Sequence, residues 1–125
     1  MSINNYKAVL PQDLNHYGYI FGGNLLKWVD EYSWIAAALE FPDCNLVTSG
    51  MEKVQFRKSV KQGSILRFHI KNIKQGIAYV KFKVNVFCKN SKSLDEEIIF
   101  DTIVTFVNIG DNGKASPLPK TVKNQ

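Results

Sequence analysis

One segment limits what this chain can fold into more than any other. From about Gly22 to about Glu40 the residues favour a helix, and Leu25, Leu26, Val29, Ile35, Ala36, Ala37, Ala38 and Leu39 make it apolar on most sides. Trp28, Tyr32 and Trp34 lie on other faces than Leu25 to Val29. Such a helix belongs in the middle of a domain, not on its surface. It ends at Phe41-Pro42-Asp43, because proline disfavours helix in the residue before it.

What surrounds the helix is strand. Residues 6–10 read as a short opening strand, and Pro11 to Asn15 as a loop. After the helix come Leu46 to Arg57, Ser64 to Ile73, Ile77 to Lys89 and Ile98 to Ile109. Alternation is clean in places: Ala78, Val80, Phe82, Val84, Val86 and Cys88 against Tyr79, Lys81, Lys83 and Asn85. Gln62-Gly63 and Gln75-Gly76 sit where tight turns are needed, while Asn90 to Glu96 forms a longer polar loop. Short connections imply an antiparallel sheet. The expected fold is α+β: a long central helix wrapped by a curved antiparallel sheet of about five strands. Edge strands of such a sheet often pair across a dimer, so at least a homodimer is expected.

The chain has 125 residues, enough for one domain spanning 1–125. No run of eighteen apolar residues suggests a membrane span, and Met1 to Asn5 lacks the features of a secretory signal. Cys44 and Cys88 are isolated, which fits a reducing cytoplasm. The net charge of +5 favours an anionic ligand. No nucleic-acid motif appears, and the positive charges are spread along strands and the C-terminus. The histidines and cysteines lack metal-ligand spacing, so no metal or cofactor is expected.

Two features of the helix point to chemistry. Gly22-Gly23 at its start exposes backbone N–H groups to an anionic oxygen. Asp30, near its middle, is an acid in apolar surroundings and needs a reason to be there. Seven residues separate Gly23 from Asp30, about 10 Å of helical rise. They cannot both touch one carbonyl group within a chain. Either they do unrelated jobs, or they meet across a two-fold interface. The chemistry that fits is acyl transfer to water, with the amides holding the oxyanion and Asp30 acting as general base or nucleophile. His16 and His69 are the only histidines, and no G-x-S-x-G elbow is present.

Asp13-x-Asn15-x-x-Gly18-x-Ile20-Phe21-Gly22-Gly23, followed by Val29-Asp30-Glu31, resembles the hotdog-fold acyl-CoA thioesterases, in the branch of YciA and brain acyl-CoA hydrolase. Val47-Thr48, Val54-x-Phe56-x-Lys58, Lys61-x-Gly63, Lys74-x-Gly76 and the ending from Thr105 to Pro119 fall at matching intervals. The resemblance implies a hotdog fold, dimers often assembled as trimers of dimers (tetramers being the other expectation), and hydrolysis of acyl-CoA to fatty acid and CoA. CoA is then part of the substrate, not a cofactor. Asp30 takes the position of the catalytic aspartate, Gly22 and Gly23 those of the glycines facing the thioester carbonyl, and Asn15 that of a loop asparagine. Thr48, Arg57, Lys58, Lys61 and Gly76 are the expected substrate-binding residues. Tyr19, Asn24, Trp28 and Ser59 depart from the family pattern. The aromatic residues Tyr19, Trp28, Tyr32 and Trp34 are expected to narrow the acyl pocket toward short or medium chains. Two other readings stand beside hydrolysis. One is a non-catalytic acyl-CoA-binding module; the other is a hydratase or dehydratase using His16. If Asp30 is merely structural, it should bond to backbone or to Thr48 of a neighbouring subunit.

Overall fold

The computed structural model describes residues 2–89 and 95–120. In chain order the elements are β1 (Ser2–Ala8), a 3-10 turn (Pro11–Asp13), α1 (Gly22–Glu40), β2 (Leu46–Phe56), β3 (Ile65–Gln75), β4 (Tyr79–Lys89) and β5 (Glu97–Asn108). Every strand pairing is antiparallel, in the order β1-β3-β4-β5-β2. All five strands touch α1. The expected architecture, one helix wrapped by a five-stranded antiparallel sheet, is the one observed.

The core lies between α1 and the inward face of the sheet. Alternation in β3, β4 and β5 puts Phe68, Phe82, Phe100 and Phe106 on that face, all fully buried, against Leu25, Val29, Ala36 and Ala37 of the helix. Burying each ring contributes about 1.5–3 kcal/mol. Ser33, the polar residue on the buried helix face, sends its hydroxyl back to the Val29 carbonyl at 2.7 Å.

Three details differ from the sequence reading. β1 starts at Ser2 rather than Tyr6. Ser2 to Asn5 carries one apolar residue, Ile3, and becomes strand because β3 supplies its hydrogen-bond partners. Next, β2 and β3, consecutive in the chain, lie at opposite sides of the sheet, with β2 at an edge. Finally, α1 is not covered all round within one protomer: Trp34 and Leu39 are 46% and 59% exposed. Residues 90–94 of the expected polar loop lie outside the described residues.

The edge strand β2 is irregular. Its register against β5 shifts between Glu52 and Gln55, and Lys53 there has φ 54. The Glu52 carbonyl accepts a 2.8 Å bond from the buried Thr102 hydroxyl, which pins the bulge. Among the described residues no helix is long and apolar enough to cross a membrane.

Candidate active site

The loop before α1 is held by two side chains. Asp13 accepts the Leu10 amide on Oδ2 at 2.9 Å, and its carbonyl accepts the Phe21 amide at 3.0 Å and Asn24 Nδ2 at 3.1 Å. Asn24, a departure from the family pattern, thus ties the helix start to the loop. Asn15 Oδ1 accepts the amides of Tyr17 and Tyr19 at 2.9 and 3.2 Å, and Gly18 at φ +85 supplies the turn between them. Asn15 Nδ2 takes no acceptor among the described residues. Nor do the amides of Gly22 and Gly23, as the first turn of a helix requires.

The helix start opens on a cavity of about 380 Å³. Asn15, Tyr19, Ile20, Gly22, Leu25, Phe56, Arg57, Lys58 and Ser59 line it. One part of that lining is apolar; the other carries two cations. A Cβ on Gly22 would sit 3.5 Å from the Phe56 ring, and one on Gly23 3.0 Å from the Phe21 ring. Gly23 is exposed beside that lining, with its Cα turned toward the Phe21 ring.

Asp30 is half-buried two helical turns further on and does not line this cavity. Its Oδ1 accepts a 2.6 Å hydrogen bond from the Thr48 hydroxyl. Thr48 belongs to β2 of the same chain, not to a neighbour, and it touches Asp30 rather than the cavity. Within one protomer there are thus two separate groupings: the amide-lined cavity, and an acid oriented from the edge strand.

The expected phosphate ligands divide. Arg57 Nε donates to Asp101 at 2.5 Å and Nη2 to Gln55 Oε1 at 2.5 Å. Lys58 pairs with Glu97 at 2.6 Å, both well exposed. Lys61 bridges to Tyr19 through backbone, stays outside the lining and has no ion pair among the described residues. Gly76 is not brought to the cavity. It sits at the β3–β4 turn, where a Cβ would overlap the Tyr79 ring, and Tyr79 pairs with Val107 near the far end of β5 from Phe100. That is about 20 Å along the strand. Gly76 is glycine because the ring needs the space.

Other residues of interest lie apart from this cavity within one protomer. Trp28 is buried with Lys7 stacked over it, Tyr32 packs edge-on against Phe68, and Trp34 Nε1 donates to the Leu46 carbonyl at 3.1 Å. Of the four aromatics expected to narrow a pocket, only Tyr19 lines the cavity. His16 stacks on Tyr17, exposed, and is not part of the lining. Asp101 was not singled out from the sequence, and Phe56 was read there only as a motif position. Asp101 carried a readable signal, an acid between Phe100 and Thr102 in an apolar strand. Among the described residues no group of His, Cys, Asp or Glu could hold a metal ion.

Asp101 is 5% exposed, with Arg57 on one oxygen and Lys83 on the other at 3.1 Å. Burial pushes its carboxyl up; the hydrogen bonds from Arg57 and Lys83 and their charges together outweigh that, and hold it below the ordinary carboxylate range. Burial, reinforced by Asp43, pushes the Cys44 thiol up. Both cysteines are free.

Comparison with known families is decisive at this point. A family model for the thioesterase superfamily matches residues 17–94. The chain belongs to the thioesterase superfamily. A Haemophilus influenzae relative, named an uncharacterized acyl-CoA thioester hydrolase, is 30% identical over 89% of this chain and 73% of its own length. The Bacillus subtilis acyl-CoA thioester hydrolase YkhA, also uncharacterized, is 28% identical over 91% of this chain, which spans 66% of that relative. A Staphylococcus aureus acyl-CoA hydrolase, solved with butyryl-CoA, CoA and CoA disulfide, superposes with TM-score 0.86 at 27% identity over 94% of this chain and 71% of that one. A hexameric Yersinia pestis thioesterase superposes with TM-score 0.84 at 26% identity over 93% of both chains. The resemblance read from the sequence is borne out by this membership and the fold by the superpositions; the relatives are named for acyl-CoA hydrolysis, the enzyme class that the resemblance implied.

Proposed function

We propose that this protein hydrolyses acyl-CoA to a fatty acid and CoA, at sites shared between the two subunits of a dimer. The observation that carries the proposal is the separation of Asp30 from the Gly22 cavity, together with the Thr48 bond that ties Asp30 to an edge strand.

Two-fold pairing through β2 closes that gap. Antiparallel pairing of a strand with its own copy matches residues whose numbers have a constant sum. An axis near Glu52 sets Thr48 opposite the partner's Phe56, and Phe56 lies against Gly22 in its own chain. Asp30 of one subunit then approaches the helix start of the other. The exposed surface supports this pairing. Val47, Val54 and Phe56 on β2 and Trp34, one turn after Asp30, are all at least 39% exposed. The Yersinia pestis relative is hexameric, and a trimer of such dimers is the expected assembly here.

In the shared site the Gly22 amide, with Gly23 and Asn15 Nδ2 as neighbouring donors, holds the oxyanion as the thioester carbonyl becomes tetrahedral. Thr48 occupies one oxygen of Asp30 and leaves the other for water. Asp30 then takes the proton of the attacking water, or attacks the carbonyl itself to give an anhydride that water opens. Either way the thiolate leaves and is protonated. Arg57, Lys58 and Lys61 contribute cations for the CoA phosphates. The free thiols are consistent with work in the cytoplasm. Release of thiol from an acyl-CoA tests the activity, with Asp30→Ala as control. No thiol release by the wild-type protein on any acyl-CoA overturns it. Single turnover in oxygen-18 water separates the two mechanisms: label enters Asp30 only if an anhydride forms.

A further inference from the structure

We propose that Asp101 is a positioning residue for substrate binding: it holds the Arg57 guanidinium at the cavity so that the free edge of the fork meets the phosphate end of acyl-CoA. This rests on the acyl-CoA reading above.

Three observations carry it. Arg57 lines the cavity and Asp101 does not, so Asp101 can reach the ligand only through Arg57. Arg57 spends Nε on Asp101 and an Nη2 hydrogen on Gln55, while Nη1 has no acceptor among the described residues. A long, flexible side chain, 45% exposed, is thereby fixed at two points with donors left over. The charge balance also favours an anion at this cation. Asp101 faces both Arg57 and Lys83, one carboxylate against two cations, whereas Lys58 and Glu97 neutralise each other. A phosphate arriving at Arg57 meets unmatched positive charge. One arriving at Lys58 must displace a carboxylate.

The test compares butanoyl-CoA with butanoyl-pantetheine, which has the same reacting bond and no phosphate. The readout is the ratio of kcat/KM for the two. Asp101→Asn is expected to lower that ratio about tenfold, through the KM for butanoyl-CoA rather than kcat. Arg57→Gln should lower it equally, and the double variant no further. Arg57→Lys, a change at a side chain 45% exposed, retains the charge but replaces the planar fork with a single ammonium, which cannot hold fixed bonds to Asp101 and Gln55 and still present an open edge to a phosphate. It too should lose the selectivity, whether or not Asp101→Asn folds. An unchanged ratio in Asp101→Asn, or a full ratio in Arg57→Lys, overturns the proposal alone. Where butanoyl is not turned over, the same pair is made with an acyl group that is; a wild-type protein that releases thiol from no acyl-CoA overturns the thioesterase reading, and the proposal with it.

Discussion

The Thr48 hydroxyl donates to Asp30 Oδ1 at 2.6 Å, joining the middle of the central helix to the edge strand of the sheet. The bond fixes the Asp30 rotamer and commits one oxygen, so the other has a defined direction. It also makes the acid answer to the position of β2, the strand through which a partner would dock.

Thr48→Val removes the hydroxyl at an exposed position and leaves the shape. We expect kcat to fall about tenfold, the lower end of losses from a mispositioned catalytic group, with the unfolding midpoint unchanged. Thr48→Ser should recover most of the rate. Steady-state kinetics on one acyl-CoA reads both.

Asp30→Asn should lower kcat at least ~100-fold, the scale of general-base loss. Folding should persist, because Asn Oδ1 still accepts from Thr48. Circular dichroism and thiol release on the same sample check the two halves. Unchanged turnover would remove Asp30 from the mechanism.

Lys53 sits at φ 54 in the β2 bulge, a left-handed conformation that costs a side chain bearing a Cβ about 1–2 kcal/mol. Glycine avoids that cost but loses more entropy on folding. Lys53→Gly should therefore stabilise the protein by up to about 1 kcal/mol, measured by urea unfolding. Lys53→Val should do the reverse.

Acid should expose the contribution of Asp101. Its native carboxyl titrates below the ordinary value of 3.8, so the folded state favours the ionised form more than the unfolded chain does. That stability is present above pH 3.8 and is lost as pH falls through the lowered native value. Wild-type urea midpoints should drop as pH falls below 3.8. Asp101→Asn should be less stable at pH 7 and flatter across that window. Glu52 and Glu96, lowered first of all by hydrogen bonds from Lys81 and Arg67, remain in both proteins.

The sequence disclosed local patterns and hid pairings. Gly22–Glu40 was legible because an apolar run meets Pro42, and β4 because its alternation is unbroken. That β2 and β3 occupy opposite sides of the sheet was not legible, since the connection between them says nothing of their neighbours. The same limit hid the partners of Asp101. Arg57 and Lys83 lie 44 and 18 positions away and are brought together by strand register alone. Asn15 and Gly22 were found at the cavity because their roles depend on the loop they build. Gly76 and the helix aromatics lie away from the cavity within one protomer, because steric need and packing call for the same residue types as a binding site does.

The central claim is that each site takes Asp30 from one subunit and its cavity from the other. Subunit complementation tests it most directly. Asp30→Asn and Gly22→Val proteins, each nearly inactive alone, are unfolded together and refolded as a mixture. Shared sites place both lesions in one site of each mixed dimer and restore the other, so activity should return to about a quarter of wild type at equal mixing. A mixture no more active than its parents, with mixed dimers shown by mass spectrometry, would contradict the account.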